Sequence, residues 1–185
     1  MPNWAINKLT VKGKSQDIDS LLNFIKGKDE EGNDIPFDFN KVVPMPKELL
    51  ETPSPVRNEH KKRQHLLQYG STDWYEWRLQ NWGTKWNLDD EIDIDIDCPT
   101  PNLATFSFNT AWSPPIKIVE ALGKRFSNLE FCLTYCELGN GFAGSYEIHG
   151  DKENDTYYDS ENPSEYSEFV KNEFGFDDFF EEQEE

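Results

Sequence analysis

Alternation runs through the first segment of the chain. Ala5, Asn7, Leu9 and Val11 share one face of an extended stretch and Trp4, Ile6, Lys8 and Thr10 the other, which predicts a strand over Trp4–Val11 closed by Gly13. The period then changes to a helical one. Ile18, Leu21, Leu22 and Ile25 follow Ser15, a cap residue, and Asp17 in the first turn, and Gly27 closes the amphipathic helix. Lys28–Asp34 reads as a polar loop and Ile35–Val43 as a short strand. Pro44-Met45-Pro46 stops that strand because proline has no N–H to offer a ladder.

Residues 51–72 lack periodicity. Pro53 and Pro55 precede Lys61-Lys62-Arg63, flanked by His60 and His65, and the segment reads as an insertion with one helical turn. Asp73 caps a short helix through Asn81 that carries Trp74, Trp77 and Arg78. Ile92, Ile94 and Ile96 alternate with Asp93, Asp95 and Asp97, a strand with one buried and one wet face. Pro99–Asn102 turns the chain into a second strand over Leu103–Thr110 with Phe106 and Phe108. Ser113-Pro114-Pro115 starts a helix with Ser as cap, buried through Ile118, Val119, Leu122 and Phe126. Leu129, Phe131, Leu133 and Tyr135 form the next strand, and after Gly139-Asn140-Gly141 its hairpin partner is Phe142–His149.

The order is therefore β-α-(insertion)-β-β-α-β-β. Without the insertion and the last strand this is βαββαβ. It predicts an α+β, ferredoxin-like (split βαβ) antiparallel sheet with helices on one face and an insertion around residues 44–88. The name describes topology only, since Cys98, Cys132 and Cys136 cannot supply the four thiolates of an iron–sulfur cluster. No cofactor is expected. Cys132 and Cys136 would lie about 13 Å apart along one strand, too far for a disulfide, and no CxxC suggests zinc.

The tail reads differently. Residues 151–185 hold 14 acids and 2 bases, a net of −12, whereas residues 1–150 hold 22 acids and 16 bases, a net of −6. Asp151–Asp159 reads as an acidic linker with Tyr157 and Tyr158. Asn162-Pro163-Ser164-Glu165 has the form of a capping box, and Tyr166, Phe169, Val170 and Phe174 then draw an aromatic stripe along an acidic helix. Phe176, Phe179 and Phe180 continue towards the terminal glutamates. Either this helix docks on the open sheet face or the insertion, or it enters a groove of a partner protein. The division expected is a domain over 1–150 and a linker with an amphipathic helix over 151–185.

Charge narrows the function classes. The 185 residues carry 36 Asp+Glu against 18 Lys+Arg, a net charge of −18, so direct nucleic-acid binding and anionic membranes are not expected. The length suits one domain, or one with an appendage. Aromatics reach 14%, too many for a disordered acidic chain. The start, Met1-Pro2-Asn3-Trp4, has neither a basic nor an apolar run, and no stretch approaches the roughly 20 apolar residues of a membrane span. A cytoplasmic setting with reduced thiols is expected. Oligomeric state is open.

Several strings resemble a known family. They are Pro2-Asn3-Trp4-Ala5-Ile6-Asn7-Lys8-Leu9 with Val11 and Gly13, Pro44-Met45-Pro46, Trp82-Gly83-Thr84-Lys85-Trp86-Asn87, Thr110-Ala111-Trp112-Ser113-Pro114-Pro115, and Tyr135-Cys136-Glu137-Leu138-Gly139 with Phe142-Ala143-Gly144. In this order, over residues 2–150, they resemble the YubB ferredoxin-like family of phage, prophage and plasmid proteins. That family often has Cys where Ala5 stands, which makes the thiol dispensable here. It has no established activity, so the resemblance implies fold and mobile-element origin rather than mechanism.

Two candidate sites emerge. Trp82–Asn87 is either a structural corner or a ligand pocket, with Trp82 and Trp86 for a planar group, Thr84 and Lys85 for an anion or carbonyl, and Trp112, Ser113 and Glu137 at element ends from which they can converge on it. The second is the stripe of Tyr166, Phe169, Val170 and Phe174 as a partner-binding face. The Asp93/Asp95/Asp97 row spaces its carboxylates about 6.6 Å apart, too wide for one ion without other ligands, and reads as a solvated face. His60, His65 and His149 form no catalytic arrangement, and no GxSxG, HExxH, P-loop or GxGxxG is present.

The expectation is a non-enzymatic protein that binds a host or phage protein with a basic face, in its sharper form a nucleic-acid mimic or defence inhibitor. The alternative is a small-ligand or nucleotide binder built on the tryptophan-rich corner.

Overall fold

A computed structural model of the chain describes residues 3–28, 32–88 and 94–177. The alternating opening segment forms β1 (Trp4–Lys12), with Ala5, Asn7, Leu9 and Val11 buried and Lys8 and Lys12 exposed. The helix that follows, α1 (Ser15–Ile25), buries Ile18, Leu21 and Ile25. Lys14, not Ser15, holds its cap position, and no side chain caps it.

The chain then departs from expectation. A two-residue ladder joins β2 (Gly27–Lys28) to β3 (Asp34–Ile35). The strand expected over Ile35–Val43 ends there because the Asp38 carboxylate accepts a bond from Asn40 N (2.8 Å) and starts the one-turn α2 (Phe39–Val42). Another single turn, α3 (Lys47–Leu50), follows.

The segment over 51–72 holds a three-turn helix, α4 (Glu59–Tyr69), where one turn was expected. The Asn58 side chain accepts from Lys61 N, and Gly70 closes the helix in the left-handed region at φ 75. Those caps carry a helix with almost no apolar face. Asp73 caps α5 (Trp74–Asn81) as expected, accepting from the N–H groups of Tyr75 and Glu76.

The remaining elements are β4 (Ile94–Thr100), β5 (Leu103–Ala111), α6 (Ile116–Arg125), β6 (Glu130–Glu137), β7 (Phe142–His149), β8 (Lys152–Asp159) and α7 (Pro163–Phe174). The sheet order is β4-β5-β1-β6-β7-β8, with every pairing antiparallel. β1 and β4 flank β5 and run parallel to each other, which is the split βαβ arrangement. Ile94 and Ile96 pair with Phe108 and Phe106, while Asp95 and Asp97 point into solvent. Ile92 and Asp93 lie outside the described residues. Among the described residues no group of three or more His, Cys, Asp or Glu could hold a metal ion.

One sheet face carries α1 and α6, whose Ile18, Leu21, Ile118, Val119 and Leu122 pack on Leu9, Val11, Phe106, Phe131 and Leu133. The insertion belongs to the same core: Leu49, Trp77, Trp82 and Leu88 are all buried in it. Lys152–Asp159, read from the sequence as a linker, is instead the sixth strand. Gly150 turns the chain at φ 60, Tyr146 Oη donates to Glu153 at 2.7 Å, and the Tyr157 ring stacks on Phe142. The aromatic residues in that acidic stretch give an otherwise polar strand something to pack on.

Candidate functional site

The tryptophan-rich corner is a lock between two loops. Trp82 is 1% exposed, its indole N–H donates to Val43 O (2.9 Å), and its ring packs edge-on against Phe39 and Trp77. The Arg78 guanidinium lies 4.8 Å from the Trp82 ring centroid and 5.1 Å from that of Trp74, and burial pulls its pKa below the ordinary arginine value. Thr84 is fully buried and its hydroxyl donates to Ala111 O at 2.8 Å. The Ser113 hydroxyl donates back to Gly83 O (2.5 Å), and so bonds across the loops rather than capping α6. Gly83 has φ 84, and a Cβ there would stand 3.0 Å from Pro114 O. Hence Trp82-Gly83-Thr84 and Ala111-Trp112-Ser113 clasp one another through backbone acceptors.

This corrects the pocket expected at the corner. Trp82 and Thr84 are spent inside the fold and present nothing to a ligand. Lys85 and Trp86 are half-buried, the ammonium 4.6 Å from the Trp86 centroid, and the Trp86 ring lies 6.0 Å from that of Trp4. Glu137 is 2% exposed, and its carboxylate accepts from Gly139 N (2.7 Å) and Asn140 N (2.8 Å). It therefore holds the β6–β7 turn, with both oxygens engaged, and does not join Lys85 and Trp86.

Trp112 behaves differently. It is 41% exposed and has φ 74, the left-handed region that non-glycine residues avoid. Its N–H donates to Asn3 O (2.9 Å), and Thr110 Oγ1 donates to Ser113 O (2.8 Å), so the turn is held on both sides. Trp112 overhangs a groove of about 470 Å³ between the start of α6 and the helix-side face of β6–β8. Tyr135, Phe142, Tyr157 and Asp155 complete its walls. The Phe142 and Tyr157 rings stack at 6.2 Å and 19°, and Tyr135 meets Phe142 edge-on at 6.3 Å. Burial, with Asp155 nearby, raises the Tyr135 phenol above its ordinary pKa.

Sequence reasoning named Trp112 but missed its neighbours. Tyr157 and Asp155 were hidden because their segment read as a linker. The pair Tyr157-Tyr158 within an acidic run was the available signal.

The aromatic stripe of the tail is also accounted for. Tyr166 and Val170 are buried against Cys136 and Ala143 on the second sheet face, with Phe169 and Phe174 packed around them and Tyr158 facing Phe169 at 4.8 Å. The helix thus docks on its own sheet, and Tyr166 and Val170 are closed to a partner. Asn162 holds the cap position with Pro163 behind it, but its side chain makes no cap bond. Burial raises the Cys136 thiol to about 12, and the Tyr166 phenol likewise to about 12.

The six-strand sheet with helices on it defines a ferredoxin-like α+β domain. Within that class the chain belongs to the family whose model is described as the ferredoxin-like domain in Api92-like protein, which matches residues 81–177, more than half of the chain. The crystal structure of a protein api92 from Yersinia pseudotuberculosis is similar in fold. It has a TM-score of 0.53 at 10% sequence identity and covers 84% of this chain and 98% of that one. No curated protein matches the chain. Among the described residues no helix is long and apolar enough to cross a membrane.

Proposed function

We propose that the protein acts by binding rather than catalysis, engaging the basic face of a host or phage protein through its own acidic surface. The observation that supports this reading is the docking of the tail. Because β8 and α7 pack on the sheet, Glu153, Asp155, Glu161, Glu165, Glu168 and Glu173 are exposed on a fixed frame rather than spread along a free chain. Carboxylates held in place, Glu153 and Asp155 along β8 and the others on or just before α7, attract a basic surface at long range and meet it without first paying the entropy of ordering. The sharper form is a mimic of nucleic acid that occupies a basic channel, as an inhibitor of a host defence nuclease requires. The resemblance to the YubB family supports an origin on a phage, prophage or plasmid, and three unpaired cysteines support a cytoplasmic setting.

The test is capture from host lysate by the full chain and by a variant carrying Glu165→Gln, Glu168→Gln and Glu173→Gln, at low and high salt. The expected result is a basic partner held at low salt, released as salt rises, displaced by duplex DNA and weakened by the variant. A partner retained equally by both proteins at high salt would refute the reading.

A further inference from the structure

The groove beneath Trp112 combines features with no role in the core. Trp112 is the one non-glycine residue with positive φ among the described residues, yet 41% of it is exposed. Such a backbone is strained, and an exposed ring regains little of that cost in the free protein. Tyr157, on the opposite wall, is 60% exposed and stacked on Phe142. Asp155 is the charged residue of the lining, no lysine or arginine borders the groove, and none of the ion pairs among the described residues involves that carboxylate. Aromatic faces and an open carboxylate are complementary to a cation. A planar cation with several donors uses both elements at once, stacking on a ring while forking onto the carboxylate, which an ammonium cannot do. A nucleotide would stack as well, but its phosphates would approach a molecule of net charge −18.

We infer that this groove receives an arginine side chain of the basic partner, with its guanidinium against Trp112 and Tyr157 and its N–H groups donating to Asp155. The inference rests on the basic-partner reading above and adds to it a single reading position.

The experiment uses the full chain and two short Gly/Ser peptides, identical except that one carries arginines and the other lysines, titrated by calorimetry at low salt. The variants are Trp112→Gly and Asp155→Asn. Glycine removes the ring and suits φ 74, so the first variant keeps the fold. The arginine peptide is expected to bind about tenfold more tightly than the lysine peptide, and each variant to abolish that preference. Equal binding of both peptides, unchanged in the variants, would overturn the groove inference and leave the basic-partner reading standing. Binding of neither peptide would overturn both. Tighter binding of adenosine than of the arginine peptide would overturn the choice of a cation.

Discussion

Gly144 lies in the middle of β7, where glycine costs about 0.5–1 kcal/mol relative to alanine. Local propensity therefore predicts that Gly144→Ala stabilises the protein, and the surrounding geometry predicts the opposite. A Cβ there would stand 2.5 Å from Tyr135 Oη and 2.8 Å from its Cζ, and it would also collide with the Thr156 carbonyl oxygen. The phenol ring can swing aside at modest cost. The carbonyl belongs to the β8 backbone, where Thr156 is the ladder partner of Ser145, and it can retreat only by loosening that neighbouring pairing. Overpacking of this kind costs about 1–3 kcal/mol, and a weakened ladder bond adds about 1 kcal/mol. Subtracting the gain from the stiffer unfolded chain, about 0.4–1 kcal/mol, leaves a net loss near 2 kcal/mol. For a chain of 185 residues the urea slope is about 3 kcal/mol/M, so the midpoint should fall by about 0.7 M with the slope unchanged. Urea unfolding followed by circular dichroism measures it. A midpoint that holds or rises refutes the reasoning. In the double variant with Tyr135→Phe, which removes the hydroxyl but keeps Cζ, recovery would mean that the phenol oxygen, not the β8 backbone, was limiting.

The clasp between the two loops predicts that Thr84→Val, nearly isosteric, leaves Ala111 O buried without its partner and costs about 1–3 kcal/mol in urea unfolding; a change under 0.5 kcal/mol would show the bond to be dispensable. Ending the chain at Gly150 strips β8 and α7 from the sheet and uncovers Cys136 and Ala143, so the shortened protein should bind a hydrophobic dye and lose cooperative unfolding; a sharp transition close to that of the full chain would contradict the docking. The folded state keeps the Cys136 and Tyr166 protons up to about pH 12, above the ordinary values of 9.0 and 10.0, so the unfolded chain ionises first and stability falls as pH rises through that window. The slope reaches about 1.4 kcal/mol per pH unit for each such group, and Cys136→Ala should flatten part of it; thermal midpoints that stay level from about pH 9 to 12 would refute the assignment.

The sheet was legible in the sequence because its strands carry period-two patterns with a strong contrast between faces. β1, β5 and β6 read correctly for that reason, and so did α1 and α6, whose apolar stripes recur at helical spacing. Of the elements that the pattern missed, two were hidden for opposite reasons. α4 has almost no apolar face, its ends are fixed by Asn58 and Gly70, and periodicity cannot report a helix defined by its caps. β8 is an edge strand rich in acids, as edges that avoid pairing with other chains usually are, and the same charges that protect it make it look like a linker. Composition also drew a boundary at Gly150 that the backbone does not respect. Nothing in the charge of Asp151–Asp159 reveals that Tyr157 and Tyr158 point to opposite faces, one into the groove and the other under α7.

The same contrast explains why the most distinctive strings misled about the site. Trp-Gly-Thr-Lys-Trp and Thr-Ala-Trp-Ser-Pro-Pro draw the eye because tryptophan, glycine and proline together are rare, and rarity invites a functional reading. Three of those residues, Trp82, Gly83 and Thr84, are constrained by packing and by backbone acceptors in the opposite loop, which restricts a sequence as tightly as chemistry does. Trp112 differs from those three: its backbone is strained, its ring is exposed, and the clasp formed by its neighbours Ala111 and Ser113 holds it over the groove. A rigid support for an exposed and strained side chain is what a binding position needs, because the support, and not the ligand, then carries the cost of the geometry. On that argument the clasp between the two strings closes the core around Trp82 and, by the same bonds, fixes the Trp112 indole over the groove.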